Sequence, residues 1–389
     1  MERSWWRPLA LAPATMLLAL AAACVANTAP TDGVLPLGAV LGRDKPSLPV
    51  AWDSLVTGSE GLRRADSLGV IVGNLDAGTM RRLSAATGQT LWSATIPVAR
   101  LTQTLGDTIW MVAGGWARGY RAADGAPVDS LRADSITAPT LLRADATRFY
   151  LFQADRIAAI DRATRTVLWN RAIPCPTPTC QVNGGVASGD TLFVSASSQL
   201  ASGAAPLLTA MLDAYSATSG TLFARYEDDV KVAFGGAGPP ALGPGGVVLL
   251  PTGNSRRITA VDRRTMRRRW FADPGMVDFD GPPEPAMANG LVGVTDGQST
   301  FVIDAATGAV RFRVLLGGAT VSLVSRTIAC GNRIVVLARD AWVLDPQTGQ
   351  LTNYLTAPNA IAVGGWRAMA AVGKRLYAIT AFEIVAFDC

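Results

Sequence analysis

One phrase recurs through this chain about every 40 residues: a short apolar strand, a tight turn centred on Asp and Thr-Gly, then a large aromatic side chain. It reads Ser84-Ala85-Ala86-Thr87-Gly88 with Trp92, Asp161-Arg162-Ala163-Thr164-Arg165 with Trp169, Asp262-Arg263-Arg264-Thr265-Met266 with Trp270, and Asp304-Ala305-Ala306-Thr307-Gly308 with Phe312. Three further copies are degraded: Asp345-Pro346-Gln347-Thr348-Gly349 has Asn353 where the ring belongs, Ala122-Ala123-Asp124-Gly125 is blurred, and Ala217-Thr218-Ser219-Gly220 is followed by Phe223, one residue out of register. A fixed period of this size constrains the chain to a repeat architecture, because each unit can bury its apolar surface only against its neighbours.

The chemistry of the phrase indicates the unit. An Asp at the end of a strand accepts backbone N–H bonds from the turn that follows, and Gly supplies a left-handed backbone position. The aromatic on the next strand is expected to fill the space between neighbouring sheets. β-rich runs at hairpin spacing surround each phrase, among them Leu68–Leu75, Thr191–Ser195, Gly246–Leu250 and Arg333–Leu337. About four short antiparallel strands per repeat make a propeller blade, and the chain reads as all-β.

The end of the chain sets the number of blades. An eighth phrase opens at Ile384-Val385-Ala386-Phe387-Asp388 and is cut off at Cys389, so the last blade lacks its outer strand. Leu48-Pro49-Val50-Ala51-Trp52 supplies it, since Trp52 precedes Trp92 by 40 residues, one repeat. The expectation is an eight-bladed β-propeller over residues 48–389, one large monomeric domain closed by its N-terminal strand, which removes the open edge of a linear array.

The first residues give an address. Arg3 and Arg7 precede an apolar run, Leu9–Ala23, too short and Ala-rich for a membrane span, and Leu20-Ala21-Ala22-Ala23-Cys24 follows. This resembles a bacterial lipoprotein signal, with Leu20 one place further from the Cys than usual; ordinary cleavage after Ala23 is the alternative. The resulting expectation is a signal peptide at 1–23, a flexible Pro/Gly/Thr/Ala-rich tether at 24–47 lipidated on Cys24, and a membrane contact through that lipid on the periplasmic side, preferably at the outer membrane. Five cysteines are odd for an exported protein, and a lipid on Cys24 leaves four to pair. Cys175 and Cys180 can close a local disulfide, while Cys330 and Cys389 can tie the last strand to the preceding blade.

His is absent from the chain, which excludes His-based nucleophilic triads and His ligation of zinc or haem; the thiols fall in two distant pairs, so no metal site is expected. Nucleic acid is not expected as a partner of an exported chain whose aromatics sit in packing positions. Arg263, Arg264, Arg267, Arg268 and Arg269 crowd one blade of a protein carrying a net charge of +5, either to attract an acidic surface or to keep an outer strand from pairing edge to edge.

The Asp-x-x-Thr-Gly-x-x-x-Trp phrase resembles the repeat of the quinoprotein-type (PQQ-like) propellers over residues 48–389. That resemblance admits two functions. Quinone-dependent dehydrogenases of this type are much longer, and many carry adjacent cysteines, neither of which applies here. The layout of signal, tether and blades is instead similar to the BamB-type lipoproteins, non-catalytic accessory proteins of outer-membrane β-barrel assembly, which implies a barrel-assembly protein as partner and no cofactor. Asp278-Phe279-Asp280-Gly281-Pro282-Pro283 resembles that family's acidic docking connection, so the resemblance implies Asp278 and Asp280 as contacts; turn chemistry alone also accounts for an Asp pair beside Gly and Pro. One blade earlier, Val230 and Val232 in Val230-Lys231-Val232-Ala233-Phe234-Gly235-Gly236 match the family's second docking loop, with Lys231 where an Arg is usual. A binder of envelope polysaccharide or of another envelope protein is the remaining class.

Overall fold

In the computed structural model, the described residues are 46–56, 61–74, 77–96, 100–113, 115–133, 136–137, 139–177, 179–200, 207–232, 236–253, 257–273, 285–295, 299–315, 326–337, 341–355 and 366–389. Cys24, the signal and most of the expected tether lie outside them. Among the described residues, 32 strands form eight four-stranded antiparallel sheets. Blades 1 to 7 occupy residues 61–95, 100–131, 141–172, 179–232, 241–272, 286–315 and 326–354 in chain order, and blade 8 joins 368–388 to Val50–Leu55. Inner strands of neighbouring blades meet, as Arg326–Cys330 does with Ala368–Val372, and Gly61–Asp66 meets Ala368–Val372 to close the ring.

The burial pattern follows from this stacking. Second and third strands have neighbours on both faces and are almost continuously buried, as in Val247–Thr252 and Arg257–Asp262. Outer strands bury little besides the aromatic, so Val167–Ala172 buries only Trp169. The hydrophobic core is therefore a series of layers between blades, such as Trp270 and Ala272 of blade 5 against Val292, Val294 and Ile303 of blade 6.

The phrase forms one structure in every blade that has it. Oδ1 of Asp161 accepts the N–H groups of Ala163 and Thr164 at 2.8 and 2.7 Å, and Asp262 and Asp304 repeat the pattern. A bulge in the outer strand, one residue before the ring, aims that ring at the next blade. There it lies on the fifth residue of that blade's phrase. A Cβ on Gly308 would stand 2.6 Å from the Trp270 ring, and one on Gly349 would stand 2.6 Å from Phe312. Trp52, Trp92 and Trp169 also donate Nε1–H to Ala85, Ala122 and Ala217 of the next phrase at 2.8 Å, whereas the buried Nε1 of Trp270 has no partner.

The degraded copies obey the same geometry. Phe223 does not take the ring's place: it is 55% exposed, and Ala224 occupies the ring position opposite Ala214. Met266 of blade 5 fills the space left, buried with Ala224 in one cluster. In blade 2 the ring position is Asp129, and the next phrase answers with Arg165 at 2.5 Å. Arg165 and Met266 stand where the other copies have Gly, and both keep its left-handed backbone, φ 61° and 51°. The next blade therefore has Gly where a ring arrives and a side chain where none does.

Closure adds two devices. Val50–Leu55 pairs antiparallel with Glu383–Asp388, placing Trp52 opposite Ala386. Cys330 and Cys389 are disulfide-bonded, with Cα atoms 6.0 Å apart, linking blade 7 to the last residue of blade 8. Pro46 and Ser47, assigned to the tether on sequence, already lie on blade 7: Pro46 O accepts from Tyr354 N at 3.2 Å and Asn353 Nδ2 at 3.1 Å. Leu48 is buried between blades 7 and 8.

Candidate functional site

The propeller has two ends. One carries the repeat phrases; the other carries the second hairpin of each blade and the connections from blade to blade. Blade 4 stands taller at the connection end, because its strands Thr179–Ser188, Thr191–Leu200, Leu207–Ser216 and Leu222–Val232 run 10 or 11 residues against 3 to 6 elsewhere among the described residues. The extension has its own small core, where Cys175 and Cys180 pack on Ala196 and Met211. Those two cysteines are disulfide-bonded with Cα atoms 5.8 Å apart, just where the chain enters the inner strand.

Val230 and Val232 end the outer strand of this tall blade, with Lys231 opposite Thr209 and Val232 opposite Leu208. They belong to a strand rather than the loop read from sequence, because blade 4 is longer than the repeat requires. The segment beyond is pinned from both sides. Ser197 Oγ accepts from Ala237 N and Asn183 Nδ2 at 2.8 Å each, Gly253 N donates to Gly236 O at 2.7 Å, and Gly238 N donates to Pro251 O at 2.8 Å. Asp278 and Asp280 lie outside the described residues, in the connection that leaves blade 5 after Ala272 and enters blade 6 at Ala286.

Immediately before Val230 lies a charge network that sequence reading missed. Asp228 and Arg257 are both buried and lie 3.4 Å apart; Arg257 also reaches Asp229 at 3.3 Å, Arg268 meets Asp229 at 2.9 Å, and Thr259 donates to Asp228 at 3.1 Å. Both guanidinium groups face the Phe271 ring, 4.0 and 5.0 Å from its centre. The hydrogen bond from Arg268, with Asp228 and Arg257 contributing, holds the Asp229 carboxyl down at about 2. The only sequence signal was the adjacent Asp228-Asp229 beside an Arg-rich blade. The Arg run is partly engaged within the protein, Arg263 donating to Ser188 at 2.6 Å and Arg269 meeting Asp262 at 2.5 Å, while Arg264, Arg267, Arg268 and Arg269 are all exposed.

A cavity of about 360 Å³ lies between the inner strands of blades 6, 7 and 8, lined by Ala286, Met287, Ile328, Ala329 and Met369 with Arg326 at its rim. A quinone cofactor needs a polar site in which carboxylates and a cation are set around the ring. The described lining offers one guanidinium and no carboxylate, so these residues do not fit that group. Among the described residues, no three His, Cys, Asp or Glu side chains are grouped to hold a metal ion. What the described residues of the connection end offer chemically is pinned backbone at 236–238 and paired charge at Asp228, Asp229, Arg257 and Arg268.

Residues 211–389 match the family model described as outer membrane protein assembly factor BamB. That match covers blades 5 to 7, the three inner strands of blade 8 and the outer half of blade 4. No curated protein sequence matches the chain significantly. Among solved structures, the crystal structure of BamB from Moraxella catarrhalis superposes with a TM-score of 0.59 at 13% identity, covering 88% of this chain and 98% of that one. The computationally designed Ika8 protein gives a TM-score of 0.62 at 15% identity, covering 90% of this chain and 98% of that one. At such identities the structural likeness speaks for the fold alone, and a designed protein sharing it underlines how little a propeller fold says about function.

Proposed function

We propose that this chain is a non-catalytic, lipid-anchored envelope scaffold that presents the connection end of blades 4 to 6 to a protein of outer-membrane β-barrel assembly. The observation that carries the reading is the match of residues 211–389 to the BamB family model, since that stretch contains both proposed docking segments. The geometry is consistent with it. Val230 and Val232 end a strand anchored by the Asp228–Arg257 pair, and residues 236–238 are bonded to blades 4 and 5, so this part of the surface is preorganised and loses little conformational entropy on docking. Asp278 and Asp280 add acidic contacts from the next connection.

The anchor in this proposal is lipid on Cys24, with residues 24–45 as the tether and the outer membrane as the site. A flexible chain of that length spans on the order of 25 Å. It reaches the propeller at Pro46 on the outer edge of blade 7, three blades round the ring from blade 4. Crosslinking the tagged protein in its native envelope, followed by mass spectrometry, tests the reading. Wild type is expected to capture the barrel-assembly protein, and Asp278→Ala/Asp280→Ala to lose it; capture of other proteins only would reject the partner.

A further inference from the structure

A second open groove lies on the outer rim of blade 2, away from the proposed docking segments. It has a volume of about 610 Å³ and is lined by Trp116, Arg118, Tyr120, Val128, Asp129 and Ser130. The third strand of the blade, Trp116–Arg121, puts Trp116, Arg118 and Tyr120 on one face, and Ser130 of the outer strand lies opposite Arg118. Tyr120 is buried against Trp92 of blade 1 and forms the floor; Trp116 is half-buried, and Arg118 is exposed.

Two features set this groove apart. Most arginines of the ring are engaged by a carboxylate or a carbonyl, yet among the described residues Arg118 has no ion-pair or hydrogen-bond partner, nor do the Trp116 indole N–H and the Tyr120 hydroxyl. Three donors are thus left open beside an aromatic wall. The local charge is set by Arg118: Asp129, the one carboxylate in the lining, is neutralised by Arg165 at 2.5 Å, while Arg132 stacks over the Trp116 ring at 5.3 Å and is engaged elsewhere as well.

We propose that this groove binds an acidic oligosaccharide. An indole face receives the C–H side of a sugar ring as apolar surface while its N–H stays available to a hydroxyl, and a free guanidinium grips a carboxylate through two parallel N–H bonds. A peptide added as a fifth strand is opposed by Pro127, which opens the outer strand and has no N–H to offer. The Arg118 charge also selects against neutral sugars.

Tryptophan fluorescence and calorimetry on the folded protein at 150 mM salt, with an oligogalacturonate as probe, test this inference. Saturable binding is expected, weakened at least 10-fold in Trp116→Ala and in the surface variant Arg118→Gln, and at least 5-fold weaker for an uncharged oligosaccharide of equal length. Absence of saturable binding at millimolar probe would overturn the proposal. So would equal binding of inorganic polyphosphate insensitive to Trp116→Ala, which would indicate bulk charge alone, or preferential binding of a Pro-rich peptide at the groove. None of these readouts involves the barrel-assembly partner, so the two proposals stand or fall separately.

Discussion

At the scale of single residues, the ring at the end of one blade and the fifth residue of the next phrase form a complementary pair. Gly308 meets two demands, a φ of 77° and a Trp270 ring pressed against it. Gly308→Ala is expected to cost about 2 kcal/mol or more in chemical denaturation, and much less in a Trp270→Ala background. The pairing also predicts a rescue: Ala224→Trp alone is expected to destabilise by about 1–3 kcal/mol through overpacking against Met266, and Ala224→Trp/Met266→Gly to recover most of that loss. The phrase carboxylates make stability depend on acid. Backbone hydrogen bonding to the turn at Thr265, with Arg269 contributing, brings Asp262 down to about 2, and Arg311 together with the turn N–H groups does the same for Asp304. Their folded values lie below the ordinary 3.8, so their stabilisation is complete above about pH 4 and is lost as pH falls toward 2. Melting temperature against pH is expected to drop across that window, with a shallower fall in Asp262→Asn/Asp304→Asn, which keeps the acceptor oxygen and removes the charge.

At the scale of elements, closure is the point at which the ring can open. Val50–Leu55 completes blade 8, its Trp52 lies on Gly88 of blade 1, and the Cys330–Cys389 bond ties the last residue to blade 7. Removing residues 48–55 is expected to lower the melting temperature strongly, because it exposes the edge of Glu383–Asp388 and empties the Trp52 site. Cys330→Ser/Cys389→Ser is expected to cost about 2–4 kcal/mol and to increase amide exchange first in blade 8. Asn353 also finds its reason here. Blade 8 has no phrase turn to receive a ring from blade 7, and Asn353 instead donates to Pro46 O and accepts from Arg333 at 3.2 Å. Deleting 46–48 while retaining Val50–Leu55 is expected to loosen the blade 7 edge with the ring still closed, measurable as local exchange without global unfolding.

At the scale of the whole molecule, eight similar blades give a symmetric body, and function must come from where the symmetry is broken. The tall, stapled blade 4 with its buried charge network breaks it at the connection end, and the Trp116–Arg118 groove breaks it at the rim. If the anchoring proposal holds, Cys24→Ser abolishes fatty-acid labelling and releases the protein from membranes without changing its melting temperature; continued labelling would reject it. The sequence by itself determined the blade count, the closing strand and the turn at each Asp-x-x-Thr-Gly, because those rest on bonds within a few residues and on a fixed period. Only the tertiary structure decided that Ala224 rather than Phe223 holds the ring position, that Arg165 and Met266 replace Gly because no ring arrives there, that Val230 and Val232 belong to a strand, and that Asp228 is paired with Arg257. The strand at Val230 and Val232 follows from the length of blade 4, and the others depend on what the neighbouring blade presents; a contact between blades is set by packing across about 30 to 50 residues of chain, which the local phrase does not encode.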